Sequence, residues 1–145
     1  MNGEDRWRNN WLVVSPAGAV PVDVQRSASK RRTLKRRIRD LPPGTPVVLF
    51  GSAPGAIRRC RTFASKAGIE LEREYLAFPS ARAPAYLVED APVSVRAFVR
   101  TILVVPPQTA LATPMQLGLS LLRTFSPWRP IRAIAPGRLV VGRRR

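Results

Sequence analysis

The residues best suited to chemistry in this sequence are cations crowded into one short segment. Seven of the ten residues at positions 30–39 are basic: Lys30, Arg31, Arg32, Lys35, Arg36, Arg37 and Arg39. Basic side chains at this density can lie along the phosphate backbone of a nucleic acid or on an anionic lipid surface. The other interpretation is a solvated helix face, although repulsion between like charges makes such a helix weak by itself. Both interpretations are open from the sequence.

A second candidate site is the loop that follows the apolar run at positions 47–50. Its sequence is GSAPG at 51–55, and two arginines follow it. Free amides at the start of a helix attract phosphate and arginines add charge. The possible phosphate loop therefore comprises Gly51, Ser52, Gly55, Arg58 and Arg59. Its Gly-x-x-x-Gly spacing matches neither a dinucleotide fingerprint nor a Lys-Ser/Thr nucleotide loop, so an ordinary tight turn is the simpler interpretation.

Groups for acid–base or nucleophilic catalysis are scarce. The chain has no histidine and one cysteine, Cys60, which excludes an internal disulfide, histidine-containing zinc sites and Ser-His or Cys-His catalysis. Cys60 lies on an apolar helical stripe, which predicts a buried structural thiol. Glu89 and Asp90 are an adjacent acid pair, but Asp90 is more simply a helix cap. The sequence therefore predicts no catalytic residue and no metal site, and it favours a protein that is not an enzyme.

Three tryptophans lie near arginines in the sequence: Trp7, Trp11 and Trp128. This arrangement permits stacking on nucleic-acid bases or cation–π contacts. Packing in or beside the core is the simpler interpretation for each of them.

The charge balance of the whole chain agrees with an anionic partner. Against nine acids it has 25 lysines and arginines, a formal net charge of +16 in 145 residues. The planar guanidinium of arginine suits phosphate and carboxylate groups. A GC-rich coding sequence would also enrich arginine, alanine, proline and glycine, so codon bias explains the same composition. The length predicts one domain, with a flexible N-terminus at 1–10 and a basic tail at 142–145.

Neither a secretory signal nor a membrane span is predicted. The first eleven residues, MNGEDRWRNNW, contain no apolar run. Residues 101–122 are uncharged, but Pro106, Pro107 and Pro114 break a helix there and raise the cost of insertion. We therefore expect a cytoplasmic protein. An alternative role is contact of the apolar 101–125 region with a membrane surface or with a partner protein.

The apolar spacing predicts the elements that would position these groups. Leu34, Ile38 and Leu41 give a helix ending near residue 40 one narrow buried stripe. The run at 47–50 is typical of a central strand covered on both faces, and a second helix over 56–66 ends at Gly68. Further predictions are extended segments at 11–14 and 20–24, strands at 69–78, 85–88 and 137–141, and helices at 91–102 and 114–125. The predicted fold is α/β, a mixed sheet with helices on its faces and an antiparallel strand pair near residues 69–88.

Two short motifs flank the predicted central strand, LPPGT at 41–45 and AGI at 67–69. With this order of elements, residues 27–90 resemble the C-terminal half of class I S-adenosylmethionine-dependent methyltransferases, which have a Rossmann-like fold. In that family a helix ending in Leu-x-Pro-Gly-Gly feeds the fifth strand, and a later Ala-Gly-Phe opens the sixth. The residues that match are Leu41, Pro43, Gly44, Ala67 and Gly68. Thr45 replaces the second glycine of the first motif, and Ile69 replaces the phenylalanine of the second.

The resemblance implies the fold of that family more than its activity. The family holds its cofactor at the ends of the first strands, with a glycine-rich loop and an acid for the ribose hydroxyls. The residues before the basic segment contain no Gly-x-Gly, so the cofactor-binding half is missing. We therefore expect no cofactor, and S-adenosylmethionine only if another chain completes the fold.

The leading functional hypothesis is a non-catalytic α/β module that binds an anionic partner through the 30–39 helix and the basic tail. The partner would be a nucleic acid, a phosphate-bearing ligand or an acidic protein. One alternative is a fragment or subunit of a methyltransferase completed by another chain, and a second is a peripheral membrane or protein-interaction module that uses the 101–125 region.

Overall fold

A computed structural model describes residues 10–24, 28–52, 54–102, 117–118 and 128–145, with residues 28–30 described by their backbone only. A 3-10 helix at Asn10–Val14 precedes the first strand. The strands are β1 (Val20–Asp23), β2 (Pro46–Ser52), β3 (Ile69–Phe78), β4 (Tyr86–Glu89) and β5 (Gly137–Arg144). The helices are α1 (Ala28–Arg39), α2 (Ala56–Ala67), α3 (Pro92–Thr101) and α4 (Trp128–Ile134).

The strands form one mixed sheet in the order β1-β2-β5-β3-β4. Only β1 and β2 run parallel to each other, and the other neighbours are antiparallel. This confirms the predicted α/β class with its antiparallel pair near residues 69–88, and it is consistent with a partial Rossmann-like arrangement.

The predicted central strand is confirmed. Val47 and Leu49 of β2 lie in the core cluster that also contains the buried residues of α1 and α2. Val48 and Phe50, which alternate with them, lie in a second core cluster with residues of β3 and β5. Successive side chains of a strand point to opposite faces, so β2 is covered on both sides.

The last strand of the chain occupies the middle of the sheet. β5 pairs with β2 on one side and with β3 on the other, and Gly142 lies opposite Val47 of β2 and Leu71 of β3. A Cβ atom at Gly142 would lie 2.3 Å from the carbonyl oxygen of Glu70. This close approach requires glycine, and it explains why β5 continues through residues 142–144, which the sequence treats as the start of a tail.

Two of the predicted local structures are wrong. Residues 11–14 form the 3-10 helix rather than an extended segment, because the ring of Trp11 packs edge-on against Phe50 with the ring centroids 5.3 Å apart. The hydroxyl of Ser15 then donates a 2.8 Å hydrogen bond to the Trp11 carbonyl oxygen. The second is the end of the helix predicted over 91–102, which stops at Thr101 and leaves Ile102 45% exposed.

The contacts of the chain form two compact units. One contains the described residues before Val88 together with Ala135–Arg145, and it includes α1, α2 and most of the sheet. The other is Val88–Ile134, in which α3 packs against α4.

Within the described residues, none of the helices has the length and apolar character needed to cross a bilayer. The predicted apolar segment falls largely at positions 103–116 and 119–125, outside the described part of the chain, as do Trp7 and residues 1–9 of the predicted flexible N-terminus.

Candidate anion-binding site

Helices α1 and α2 lie side by side because their apolar stripes enter the same core. Ile38 is the buried residue of α1, with Leu34 packed against that core. Helix α2 contributes Cys60, Phe63 and further small residues to it. The polar edges of the two helices therefore face each other above the buried stripes, and these edges carry five cations.

A groove of about 210 Å³ runs between these two edges. The residues that line it, here called the basic groove, are Arg31, Arg32, Lys35, Arg59, Thr62, Phe63 and Lys66. Five of the seven are cations and none is an acid. Phe63 is only 2% exposed, so the accessible lining is the charged side chains and the Thr62 hydroxyl.

Three cations of the groove are not neutralised by nearby acids among the described residues. In the part of the chain that the structure describes, no ion pair involves Arg32, Lys35 or Lys66. The glutamates closest in sequence are on β3, where Glu74 accepts hydrogen bonds of 2.7 and 2.8 Å from Arg61 on the other side of α2. Like charges four residues apart on α1 repel each other by a few tenths of a kcal/mol per pair. A bound anion would relieve this repulsion.

The remaining predicted cations of α1 lie around the groove in different positions. A helix turns about 100° per residue, so Arg36 and Arg39 continue the line of Arg32 along the exposed side. Arg37 lies two residues after Lys35, roughly 200° around the helix from it. The side chain of Lys30 is outside the described atoms. The predicted set is therefore divided: Arg31, Arg32 and Lys35 line the groove, Arg36 and Arg39 extend it, and Arg37 faces elsewhere.

The predicted phosphate loop is held by one of its own arginines. Gly55 has a φ of 72° at the start of α2, where no side chain caps the helix. The Arg59 guanidinium donates hydrogen bonds to the carbonyl oxygens of Ser52 and Pro54. Arg58 is exposed and does not line the groove, and Gly51 is buried against Ala56 and Cys60. Ala53 lies outside the described residues.

Arg59 thereby connects the two sites that the sequence suggests separately. Its side chain lines the basic groove while its terminal nitrogens bind the loop. Its Nε atom is buried and has no hydrogen-bond partner among the described atoms. The structure thus brings the basic helix and the loop's arginine to one place, with the loop as a support for the groove.

The arginines at the C-terminus are engaged within the fold. Arg143 donates a 2.7 Å hydrogen bond to Glu72, and Arg145 lies 3.8 Å from the carboxylate of Glu70. Arg144 donates to the carbonyl oxygen of Arg39 at 3.3 Å. These side chains are therefore less available to a partner than those of α1.

Of the adjacent acids at 89 and 90, Asp90 has a structural use that the sequence did not indicate. Asp90 is not a helix cap, since Ala91 occupies the cap position of α3 without a side-chain bond. The Asp90 side chain is 3% exposed and accepts hydrogen bonds from Trp128 Nε1 at 2.7 Å and Arg132 Nε at 2.9 Å. The cap interpretation of Asp90 is therefore wrong, because the carboxylate turns toward α4.

Cys60 is confirmed as a buried thiol with no exposed surface. Burial raises its pKa to about 12, against an opposing effect of Arg59. A thiol with such a pKa stays protonated at neutral pH and is a poor nucleophile. Over the described residues, no three cysteine, aspartate or glutamate side chains come together as metal ligands.

Of the groove residues on α2, the sequence identified Arg59 as a site residue, whereas Thr62, Phe63 and Lys66 were missed. Arg59, Thr62, Phe63 and Lys66 stand at i, i+3, i+4 and i+7, the spacing of one helix face. This periodicity could have been read from the sequence, but only the packing of α2 beside α1 gives it a function.

No protein-family model, curated protein or solved structure matches this chain.

Proposed function

We propose that the chain is a non-catalytic α/β module that binds a phosphate-bearing anionic partner through the basic groove. The observation that carries this proposal is the convergence of five cations from α1 and α2 on one concave surface without an acid. Such a concave charged surface concentrates anions. Arginine also matches the geometry of phosphate oxygens, because its planar guanidinium offers two parallel donors.

The lack of acidic partners in the groove also favours a binding role for these cations over a structural role. A structural arginine is normally paired with an acid, as Arg61 and Arg143 are here. In the described structure the groove cations Arg32 and Lys35 have no such pairing, while α1 retains the cost of their mutual repulsion. A bound anion would make this arrangement favourable.

The proposal is tested by removing charge from the groove. The triple variant Arg32→Gln, Lys35→Gln, Lys66→Gln removes three cations that make no described ion pair. Fluorescence anisotropy with a labelled polyanion at 50 and 200 mM salt measures the effect. For about four phosphate contacts, wild-type affinity should fall roughly 100-fold between these salt concentrations. The variant should bind at least tenfold more weakly at 50 mM.

A charge-matched control separates the groove from the net charge. The variant Arg96→Gln, Arg100→Gln, Arg129→Gln also removes three exposed arginines, none of which lines the groove. It should bind within about twofold to threefold of wild type. Equal losses in the two variants would show non-specific attraction and overturn the proposal, as would the absence of wild-type binding.

The resemblance to methyltransferases supports a second proposal, that another chain completes the sheet. Strand β1 lies at the edge of the sheet, where an unpaired strand edge can accept a further strand. Coexpression with the product of a neighbouring gene, followed by S-adenosylmethionine titration of the copurified pair, tests it. Absence of both a complex and S-adenosylmethionine binding contradicts it.

A further inference from the structure

Resting on the proposed function, we infer that the partner is double-stranded nucleic acid, held by its phosphate backbone without readout of the bases. The inference depends on three features of the groove and its surroundings. They are the length of the row of cations, the lack of an exposed apolar side chain among the residues that line the groove, and the packing of the described tryptophans within the fold.

The cationic surface is longer than one phosphate group. Arg32, Arg36 and Arg39 form a row along the exposed side of α1, adjacent to the groove. At 1.5 Å per residue this row spans about 10 Å. Phosphates of one nucleic-acid strand rise about 3.4 Å per residue along the helix axis and lie further apart than this along the strand itself, so the row reaches more than one of them. A ligand with a single phosphate would leave Arg36 and Arg39 without a counter-charge.

The far end of the row is fixed against the groove. Arg39 Nη2 donates a 2.9 Å hydrogen bond to the carbonyl oxygen of Lys66, the last groove residue of α2. Its guanidinium remains exposed and charged. The groove and the row therefore form one continuous track, along which a phosphate backbone can lie.

The surface offers little to a protein partner. Protein–protein interfaces have an apolar, often aromatic, centre, whereas protein–DNA interfaces are more polar and strongly positive. The one aromatic residue of the groove, Phe63, is buried. An acidic protein would find charges here but no apolar centre.

The described tryptophans are also engaged in packing. The Trp11 ring packs against Phe50, and the Trp128 indole donates to Asp90 while Arg132 lies 5.2 Å from its ring centroid. Binding of single strands by base stacking needs exposed aromatic faces. Neither tryptophan lines the basic groove, and Phe63, the aromatic residue that does, is buried, so the expected contact at the groove is with the phosphate backbone.

The experiment compares five probes on the full chain by anisotropy and competition. They are two 20-base-pair DNA duplexes of unrelated sequence, one of the corresponding single strands, poly-glutamate of equal charge, and inorganic pyrophosphate. The duplexes should bind within twofold of each other and at least tenfold more tightly than poly-glutamate. Pyrophosphate at the same ionic strength should not displace them beyond the effect of a simple salt.

Two single variants of α1 test the row itself. Arg36→Gln should weaken duplex binding several-fold and reduce the slope of log affinity against log salt by about 0.9, the loss expected for one phosphate contact. Arg37→Gln removes the same charge from the opposite edge of the helix, so duplex binding should change less than twofold. Equal effects of the two variants would overturn the inferred row.

Each remaining outcome has a definite meaning. Binding of poly-glutamate or of the single strand as tight as that of the duplex, or tenfold discrimination between the duplexes, overturns the inference and leaves the proposed function standing. Displacement of the duplexes by low concentrations of pyrophosphate points to a small phosphate ligand and also overturns the inference of a duplex partner. Failure of every polyanion to bind overturns the proposed function as well.

Discussion

Arg39 donates a 2.9 Å hydrogen bond to the backbone carbonyl oxygen of Lys66 and so joins the C-terminal ends of α1 and α2. These two helices carry all the cations of the basic groove. The geometry of the groove therefore depends on a bond between residues that are far apart in the sequence.

Replacement of Arg39 should weaken the contact between the C-terminal ends of α1 and α2. Arg39→Met keeps the length and apolar stem of the side chain but removes the donor. We expect a loss of about 1 kcal/mol in the free energy of unfolding, the usual net contribution of one hydrogen bond. The urea midpoint measures it. Arg36→Met is the control, since the side chain of Arg36 makes no described hydrogen bond, and it should change stability by less than about 0.5 kcal/mol. Equal urea midpoints for the two variants would contradict a stabilising role of the hydrogen bond between Arg39 and Lys66.

The Asp90 carboxylate should stabilise the unit that contains α3 and α4. Asp90→Ala leaves Arg132 and the Trp128 indole without their acceptor, at a cost of roughly 2–3 kcal/mol. Asp90→Asn should cost less, because the amide oxygen still accepts the indole hydrogen bond. Thermal unfolding gives the stabilities, and the hydrogen exchange of the Trp128 indole reports the bond itself.

The neighbouring acid provides the control for this prediction. Glu89 is exposed, so Glu89→Gln should change stability by less than about 0.5 kcal/mol. Indole exchange that is equally slow in wild type and Asp90→Ala would show that the hydrogen bond has no protective effect.

The buried thiol of Cys60 makes stability depend on pH in the alkaline range. Its pKa is raised from 9.0 to about 12 in the folded protein. Below pH 9 both states hold the proton, and pH has no effect through this group. Between 9 and 12 only the unfolded state loses it, so the folded state is destabilised by about 1.4 kcal/mol per pH unit.

Urea unfolding of wild type and Cys60→Ala at pH 8 and pH 10.5 tests this effect. The stability advantage of wild type over the variant should shrink by about 2 kcal/mol, because other titrating groups cancel in the difference. A thiol reagent at pH 8 should label wild type only after unfolding. Rapid labelling of the native protein would contradict the burial of Cys60.

The central place of β5 predicts a severe effect at Gly142. In Gly142→Ala the new Cβ atom would lie 2.3 Å from the Glu70 carbonyl oxygen, a backbone atom that cannot rotate away. We expect a loss of about 3 kcal/mol or more. Gly118→Ala is the control, since nothing lies within 4 Å of its added Cβ. A Gly142→Ala protein as stable as this control would place β5 elsewhere in the sheet.

Local periodicity was sufficient to predict most elements of the fold. The apolar run at 47–50 predicted a strand covered on both faces, and β2 is buried in that way. The spacing of Leu34, Ile38 and Leu41 predicted the buried stripe of α1. Gly68 ends α2 with a φ of 71°, as a C-cap glycine does. Each of these features depends on residues within one or two turns of each other, and that information is local in the sequence.

The candidate site was predicted only in part, because half of it depends on packing. The cations of α1 were evident from their density, whereas Lys66 and Thr62 gained significance only when α2 packed beside α1. Asp90 appeared to be a cap since its natural partner, Trp128, lies 38 residues away. No local pattern distinguishes such a partner.

What the sequence by itself determined is the set of elements and the excess of positive charge, since both follow from residue type and short-range spacing. The tertiary structure decided where the last strand pairs, which arginines are neutralised and which cations share a groove. Those outcomes depend on contacts between distant residues, where pairing geometry and close approach, as at Gly142, select one arrangement among many that the local pattern allows.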